Sequence, residues 1–111
     1  MTTRDWIIPT LCPTKVAMSA IVDETSRAFG VPIEAMRSSS RSQEIAHARQ
    51  MAMHIAYIKG KRSYSQIGRF FGRDHTTVIH AIRAVDARRA ADPDLDAAAR
   101  ILESRIAGAS A

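Results

Sequence analysis

The segment "SYSQIGRFFGRDHTTVIHAIR", residues 63–83, decides how this chain is expected to fold. Its first half carries apolar residues at helical spacing and stops at Gly72. Its second half opens with the polar run Asp74–Thr77 and then becomes apolar at helical spacing again. Glycine after a helix and aspartate before one are common helix boundaries. The segment therefore predicts a short helix, a turn of about three residues and a longer helix.

Capping signals support the two helix starts in this segment. Ser63 and Gln66 have the three-residue spacing of a capping box, and Asp74 is a strong N-cap residue. The longer helix is expected to run to about Ala90. The residues expected to face the core are Ile67, Phe70, Phe71, Val78, Ile79, Ile82 and Val85.

Further helices are predicted on both sides of this segment. One is expected from about Thr14 to a stop at Gly30, and a short one follows Pro32. The clearest long helix runs from Gln43 to Lys59, with Ser42 as its cap and Gly60 after its end. A last helix starts near Pro93. Its apolar stripe is Leu95, Ala99, Leu102 and Ile106.

These elements predict an all-α fold, a compact helical domain of about six helices containing a helix-turn-helix. The domain is expected to occupy residues 14–107, after an irregular lead at 1–13 and before a tail at 108–111. The segment "RSSSRS", residues 37–42, is expected to be a flexible, basic linker. No convincing strand is predicted.

The charge of the chain is concentrated in its middle. The net charge is +5. Residues 37–90 hold eleven Lys and Arg against three Asp and Glu, a net of +8, so the flanks are slightly acidic. A basic segment between such flanks indicates a polyanionic partner, although many charge runs are only solvated faces.

The polar start of the longer helix has the chemistry of a DNA-reading element. In a helix-turn-helix the second helix enters the major groove with its N-terminal residues against the base edges. Asp74 can accept from cytosine, His75 can donate or accept, and Thr76 offers a hydroxyl and a methyl group. The alternative is that Asp74 only caps the helix and that the threonines form an exposed first turn.

At this point the sequence resembles the C-terminal DNA-binding domain of the bacterial replication initiator DnaA. The likeness lies in "ARQMAMHIAYIKGKRSYSQIGRFFGRDHTTVIHAIR", residues 48–83. The family has a "PRQ-AMYL" helix followed by an "L-EIG--FGGRDHTTV-HA" helix-turn-helix and a basic-loop arginine just upstream. The resemblance extends from about Thr14 to Ala107.

The resemblance implies roles for particular residues. Arg41 matches the basic-loop arginine that enters the minor groove, and Asp74, His75 and Thr76 match the positions that read bases in the major groove. The family's target is a nine-base-pair element like TTATCCACA. The DNA-binding residues are expected to be Arg41, Ser42, Arg49, Gln50, Lys59, Lys61, Arg62, Ser65, Arg73, Asp74, His75, Thr76, Thr77 and Arg83.

The chain also departs from the family pattern. Gly72 stands alone where the family has two glycines, which shortens the turn by one residue. Ser65 replaces a proline, and Tyr57 and Ala84 replace lysines. Lys59, Lys61, Arg62 and Arg83 are expected to supply the phosphate contacts of those lysines instead. The preferred DNA site could therefore differ from the standard box.

Several functions are not expected. No G-x-x-x-x-G-K-[ST] run exists, so no ATP site and no other cofactor are predicted. Cys12 is the only cysteine, which excludes an internal disulfide and a Cys-based zinc site. The four histidines show no metal-binding or catalytic spacing, and His80 is expected to be packed or half-buried. The chain is predicted not to be an enzyme.

The expected partner is double-stranded DNA, bound by a monomer in the cytoplasm at the nucleoid. No membrane segment is predicted, because the apolar patch at Trp6–Pro9 is too short. The competing interpretation is a protein-interaction module that acts on the full-length initiator, with Trp6–Ile8 as a candidate contact. Whether DNA binding would serve replication initiation or transcription stays open.

Overall fold

The computed structural model describes residues 17–110, with side chains described as far as Gly108. This range contains six helices and no strand. The helices are α1 (Met18–Phe29), α2 (Ile33–Met36), α3 (Gln43–Ile58), α4 (Tyr64–Phe71), α5 (His75–Ala91) and α6 (Pro93–Ser110). The predicted all-α fold with a helix-turn-helix is confirmed. The lead at 1–13 and the predicted helix start at Thr14 lie outside the described residues.

Helix α3 forms the centre of the domain, since α1, α2, α4 and α5 all pack against it. Every residue from Met51 to Ala56 is buried, so this helix is covered on all sides. The residues there are apolar except for His54, as expected of a helix in the middle of a core. The four helices that pack against α3 are therefore arranged around it as their common centre.

Helix α4 begins and ends as the sequence predicts. The Ser63 hydroxyl accepts a hydrogen bond from the Gln66 N–H at 3.1 Å, and the Gln66 side chain accepts from the Ser63 N–H at 3.0 Å. This is the predicted capping box. Ile67 and Phe71 are buried and Phe70 is half-buried. The capping box fixes the start of α4, and these side chains fix the face that it turns to the core.

The turn between α4 and α5 consists of three residues, Gly72, Arg73 and Asp74. Gly72 has φ of 68°, the left-handed conformation that favours glycine. Gly68 is the second glycine that this turn requires, because a Cβ there would collide with the carbonyl oxygen of Arg73. The Arg73 N–H donates to the Gly68 carbonyl at 2.8 Å, which closes the turn. Asp74 caps α5 through a 2.9 Å hydrogen bond from the Thr77 N–H.

Helix α6 runs back along α1 and α5. The Asp92 carboxylate accepts from the N–H groups of Asp94 and Leu95, so it caps α6. The stripe residues Ala99, Leu102 and Ile106 are buried, and Leu95 packs against them from a half-buried position. The helix continues to Ser110, beyond the predicted limit at 107.

Two local expectations are corrected. Ser42 stands at the N-cap of α3, but its side chain forms no capping hydrogen bond. His80 is exposed rather than packed. The buried histidine is instead His54, which is 1% exposed and places Nε2 2.7 Å from an Asp86 carboxylate oxygen. Helix α3 buries His54 because its neighbours surround the helix on every side.

None of the helices in residues 17–110 combines the length and the apolar character that a membrane span requires.

Candidate nucleic-acid interface

The first turn of α5 is exposed to solvent. The side chains of Asp74, His75, Thr76 and Thr77 all lie on the surface, whereas the next residue, Val78, is fully buried. Because Val78 fixes the helix against the core, the four polar side chains in front of it face outward together. They form a continuous polar end that the helix-turn-helix presents to solvent.

The Asp74 carboxylate stays ionised at this end of the helix. Hydrogen bonds from the backbone and then the side chain of Thr77 hold the pKa of Asp74 below its usual value, and the neighbouring His75 and His80 act in the same direction. A carboxylate has several lone pairs, so capping leaves acceptor capacity for a further donor. The two predicted roles of Asp74, capping and accepting from a base, are therefore compatible.

Arg41 lies on the loop between α2 and α3 and is exposed. It has no hydrogen-bond or ion-pair partner among the described residues. The loop that carries it is bonded to the turn of the helix-turn-helix, because Arg73 donates to the Ser38 carbonyl at 2.7 Å. The structure thus places the predicted minor-groove arginine on a segment in contact with the predicted major-groove helix. In place of the expected flexible linker, residues 37–42 form a loop that is held by hydrogen bonds.

Arg49 and Arg73 are engaged within the protein. Arg49 is 8% exposed, and its guanidinium donates to the carbonyls of Met36, Ser38 and Ser40 at 2.7, 3.1 and 3.2 Å. Arg73 is half-buried and also donates to the Phe71 carbonyl at 2.8 Å. Contact of both arginines with DNA stays a prediction, and the bonds that they form within the protein organise the loop and the turn.

The other predicted residues are divided between several positions. Ser42 and Ser65 are exposed. Gln50 is half-buried and accepts a 2.9 Å hydrogen bond from Arg88, which occupies its carbonyl oxygen. Lys59 borders a cleft lined by Arg100 and Glu103 of α6, and none of the residues of the exposed turn Asp74–Thr77 lines that cleft.

A cationic and aromatic surface lies at the start of α4. Lys61, Arg62 and Tyr57 line one shallow depression there. Tyr57 stacks on Tyr64, with ring centroids 4.8 Å apart and planes at 8°. A hydrogen bond with Tyr57 raises the pKa of Tyr64, and the nearby charge of Arg83 on α5 acts in the opposite direction. Three of the predicted phosphate-binding cations, Lys61, Arg62 and Arg83, are therefore grouped around the tyrosine pair.

The sequence did not reveal the role of Arg37. Its guanidinium lies over the Phe70 ring, 4.7 Å from the centroid, and its Nε donates to the Phe70 carbonyl at 2.9 Å. Arg37 and Phe70 are 33 residues apart, so no local pattern connects them. Within residues 17–110 no cluster of His, Cys, Asp and Glu could hold a metal ion. The candidate contact Trp6–Ile8 lies outside the described residues.

Comparison with known proteins agrees with this geometry. The family model described as "Bacterial dnaA protein helix-turn-helix" matches residues 18–85, which include the loop, α4, the turn and most of α5. The chain belongs to this family. The match covers the DNA-binding part of DnaA, so the chain carries a DnaA-type helix-turn-helix domain for DNA binding.

Three relatives illustrate how close the match is. The chromosomal replication initiator protein DnaA of Deinococcus radiodurans is 34% identical over 94 residues, which is 85% of this chain and 20% of that protein. DnaA of Sphingopyxis alaskensis is 47% identical over 81 residues, 68% of this chain and 18% of the relative. DnaA of Zymomonas mobilis is 46% identical over 74 residues, 66% and 15% respectively. The chain thus spans about a fifth of the length of the DnaA proteins that it matches.

Proposed function

We propose that this chain binds double-stranded DNA sequence-specifically, at sites like the DnaA box TTATCCACA, and thereby modulates replication initiation or transcription. The observation that carries the proposal is the exposed polar turn Asp74–Thr77 next to a loop that presents Arg41. Base edges in the major groove can be read by such side chains, and an arginine suits a narrow A·T-rich minor groove. One copy can then fill a non-palindromic site by using both grooves, so a monomer is the expected binding unit.

The basic surface supplies the remaining affinity in this proposal. Lys61, Arg62 and Arg83, which are grouped around the Tyr57–Tyr64 pair, would neutralise phosphates, which favours binding to any duplex and makes it sensitive to salt. No nucleotide hydrolysis is required, because the match lies in the DNA-binding part of the family. DNA contact places the site of action at the nucleoid, in the cytoplasm.

The direct test is a titration of the purified chain with labelled duplexes at fixed salt. One duplex carries the TTATCCACA box and the other a scrambled sequence of equal composition. Specific binding predicts a preference of at least about 1,000-fold for the box. Equal affinity for the two duplexes would refute the proposal.

The Thr76→Ala variant tests whether the exposed turn is responsible for the preference. We expect it to weaken box binding and to relax the choice of base at one position, because it removes a hydroxyl and a methyl group. Arg105→Ala is the control, since Arg105 is an exposed cation on α6. If Thr76→Ala leaves affinity and base preference as in the control, the first turn of α5 does not read DNA.

Two further measurements define the biological setting. Genome-wide mapping of bound sites separates a replication role, with sites clustered at an origin, from a transcription role, with sites at promoters. Sedimentation of the pure protein without DNA tests the monomer. A stable dimer would contradict recognition of a box by a single copy.

A further inference from the structure

The C-terminal end of α4 depends on two arginine side chains. A helix leaves its last four carbonyl groups without partners inside the helix. Here the Gly68 carbonyl accepts from the Arg73 N–H and the Arg69 carbonyl accepts from the Gly72 N–H. The last two, those of Phe70 and Phe71, accept from the guanidinium groups of Arg37 at 2.9 Å and Arg73 at 2.8 Å. Positive charge at this position also complements the negative end of the helix dipole.

The same two arginines connect α4 to the loop that carries Arg41. Arg37 is the first residue of that loop, and Arg73 reaches its Ser38 carbonyl with Nη2 at 2.7 Å. The Ser38 carbonyl also accepts from Arg49 of α3 at 3.1 Å. A single oxygen atom therefore joins the loop, the central helix and the turn before the recognition helix.

Serine side chains fix the path of the loop between these anchors. The Ser38 hydroxyl donates to the Ala35 carbonyl at 2.6 Å and accepts from the Ser40 N–H at 3.2 Å. The Ser40 hydroxyl accepts from the Ser42 N–H at 3.2 Å. Because alternate residues bind back to the loop, the backbone on both sides of Arg41 is held while its side chain points into solvent.

We propose that Arg73, together with Arg37 and Arg49, is a positioning residue that couples the Arg41 loop to the recognition helix. The coupling keeps the two DNA-reading elements in a fixed relative position. The DNA part of this inference rests on the proposed function, whereas the coupling itself is a property of the free protein. Arg73 would then contribute to DNA binding through the geometry of Arg41 and not through a phosphate contact of its own.

An Arg73→Lys variant separates positioning from a direct phosphate contact. Lysine keeps the charge and can still bind a phosphate as a point charge. It lacks the planar fork with which arginine reaches the Phe71 and Ser38 carbonyls at once. A phosphate-binding residue should therefore tolerate this change, and a positioning residue should not.

The first experiment measures amide hydrogen exchange in the free protein. Exchange at Ser40 and Ser42 should become at least about tenfold faster in Arg73→Lys, because the loop loses an anchor. Arg69→Lys is the matched control, since Arg69 lies on α4 four residues before Arg73 and its exposed side chain has no partner among the described residues. Equal loop exchange in the wild type and Arg73→Lys would overturn the coupling.

The second experiment is a double-mutant cycle on DNA binding. Arg41→Ala should weaken box binding about tenfold in the wild-type background. In the Arg73→Lys background it should weaken binding less than about threefold, because the arginine is already misplaced. The same loss in both backgrounds would overturn the proposal. If the wild type shows no box preference, the proposed function fails and hydrogen exchange alone decides the coupling.

A second substitution guards against loss of fold. If circular dichroism shows that Arg73→Lys is unfolded, Arg37→Lys removes the other bridge, to the Phe70 carbonyl, and is measured in its place. Faster exchange at Ser40 and Ser42 in a folded Arg37→Lys protein supports the coupling, and unchanged exchange contradicts it.

Discussion

The two ends of α5 differ in how their polar side chains are used. At the first turn, His75 and Thr76 are exposed and have no side-chain hydrogen-bond partner among the described residues. In the second half of the helix, Asp86 binds His54, Arg88 binds Gln50, and Arg89 binds both Asp96 and Glu103. One end of the helix therefore completes the fold, and the other is available to a ligand.

The difference shows why the charge of a segment is a poor guide to its function. Arg88 and Arg89 belong to the basic middle of the sequence, but their charges are used within the protein. Arg89 is only 13% exposed and forms ion pairs of 2.7 and 2.8 Å. Arg41 and Arg83 come from the same basic region and are exposed. The charge of the second kind of cation faces solvent, where a polyanion can reach it.

The largest expected effect concerns Gly68, where α4 approaches the turn that leads into α5. Gly68→Ala should destabilise the domain by about 3 kcal/mol, because its Cβ would press on the Arg73 carbonyl and neither backbone can yield easily. Thermal or denaturant unfolding measures this. Gly108→Ala is the control, since nothing lies within 4 Å of a Cβ there. If the two variants are equally stable, the close approach of α4 to the turn is not required.

Substitutions in the second half of α5, where the polar side chains are paired, should change the stability of the protein and not its preference for particular bases. Arg89→Ala should cost about 2 kcal/mol of folding free energy, because it leaves the largely covered Glu103 carboxylate without its partner and removes one of the two partners of Asp96. Arg100→Ala removes an ion pair to the same Asp96 from a side chain that is 74% exposed. That pair should be worth less than about 1 kcal/mol. A changed preference for the box in Arg89→Ala would contradict the separate roles of the two ends of α5.

Substitutions in the exposed first turn of α5 should change DNA binding and leave stability almost unchanged. His75→Ala should weaken binding to the box about tenfold while the unfolding transition hardly moves, because an exposed side chain without a partner contributes little to folding. Titration with box and scrambled duplexes, together with thermal unfolding, measures both quantities. A large loss of stability would mean that His75 is part of the fold and not of the interface.

The smallest effect concerns the cap at the start of α5. Since the folded pKa of Asp74 lies below the ordinary carboxyl value of 3.8, its contribution to stability is present above that pH and is lost as the pH falls through the folded pKa. Asp74→Asn keeps a good cap that does not titrate in this range. The unfolding free energy of the wild type should therefore fall slightly more than that of the variant at acid pH. Parallel curves would show that the charge of the cap does not matter.

The helix boundaries could be predicted because their signals are local. The capping box at Ser63, the left-handed Gly72 and the cap at Asp74 each involve residues within a few positions, and all three are confirmed. The exposure of His75 and Thr76 also followed from their place before the first buried residue of α5. Whether they contact DNA remains a prediction.

The networks around the site could not be predicted, because their partners are distant in sequence. Arg37 meets Phe70, and Arg73 meets Ser38 35 residues away. The same limitation led to the wrong expectation for His80, since two histidines of similar surroundings in the sequence, His54 and His80, differ only in which helices cover them. Which of the two histidines is buried is decided by how α3, α5 and α6 pack together.

The sequence by itself determined the helices, the turn between α4 and α5, and the polar residues that open the recognition helix, because capping and helical periodicity act over one or two turns. Only the tertiary structure decided which cations form bonds within the protein and which remain exposed to solvent. The Arg49 and Arg73 guanidiniums bind loop and turn carbonyls, whereas Arg41 remains exposed. An arginine in a sequence has the same charge in either place, and packing alone sets whether a carbonyl group or solvent lies within its reach.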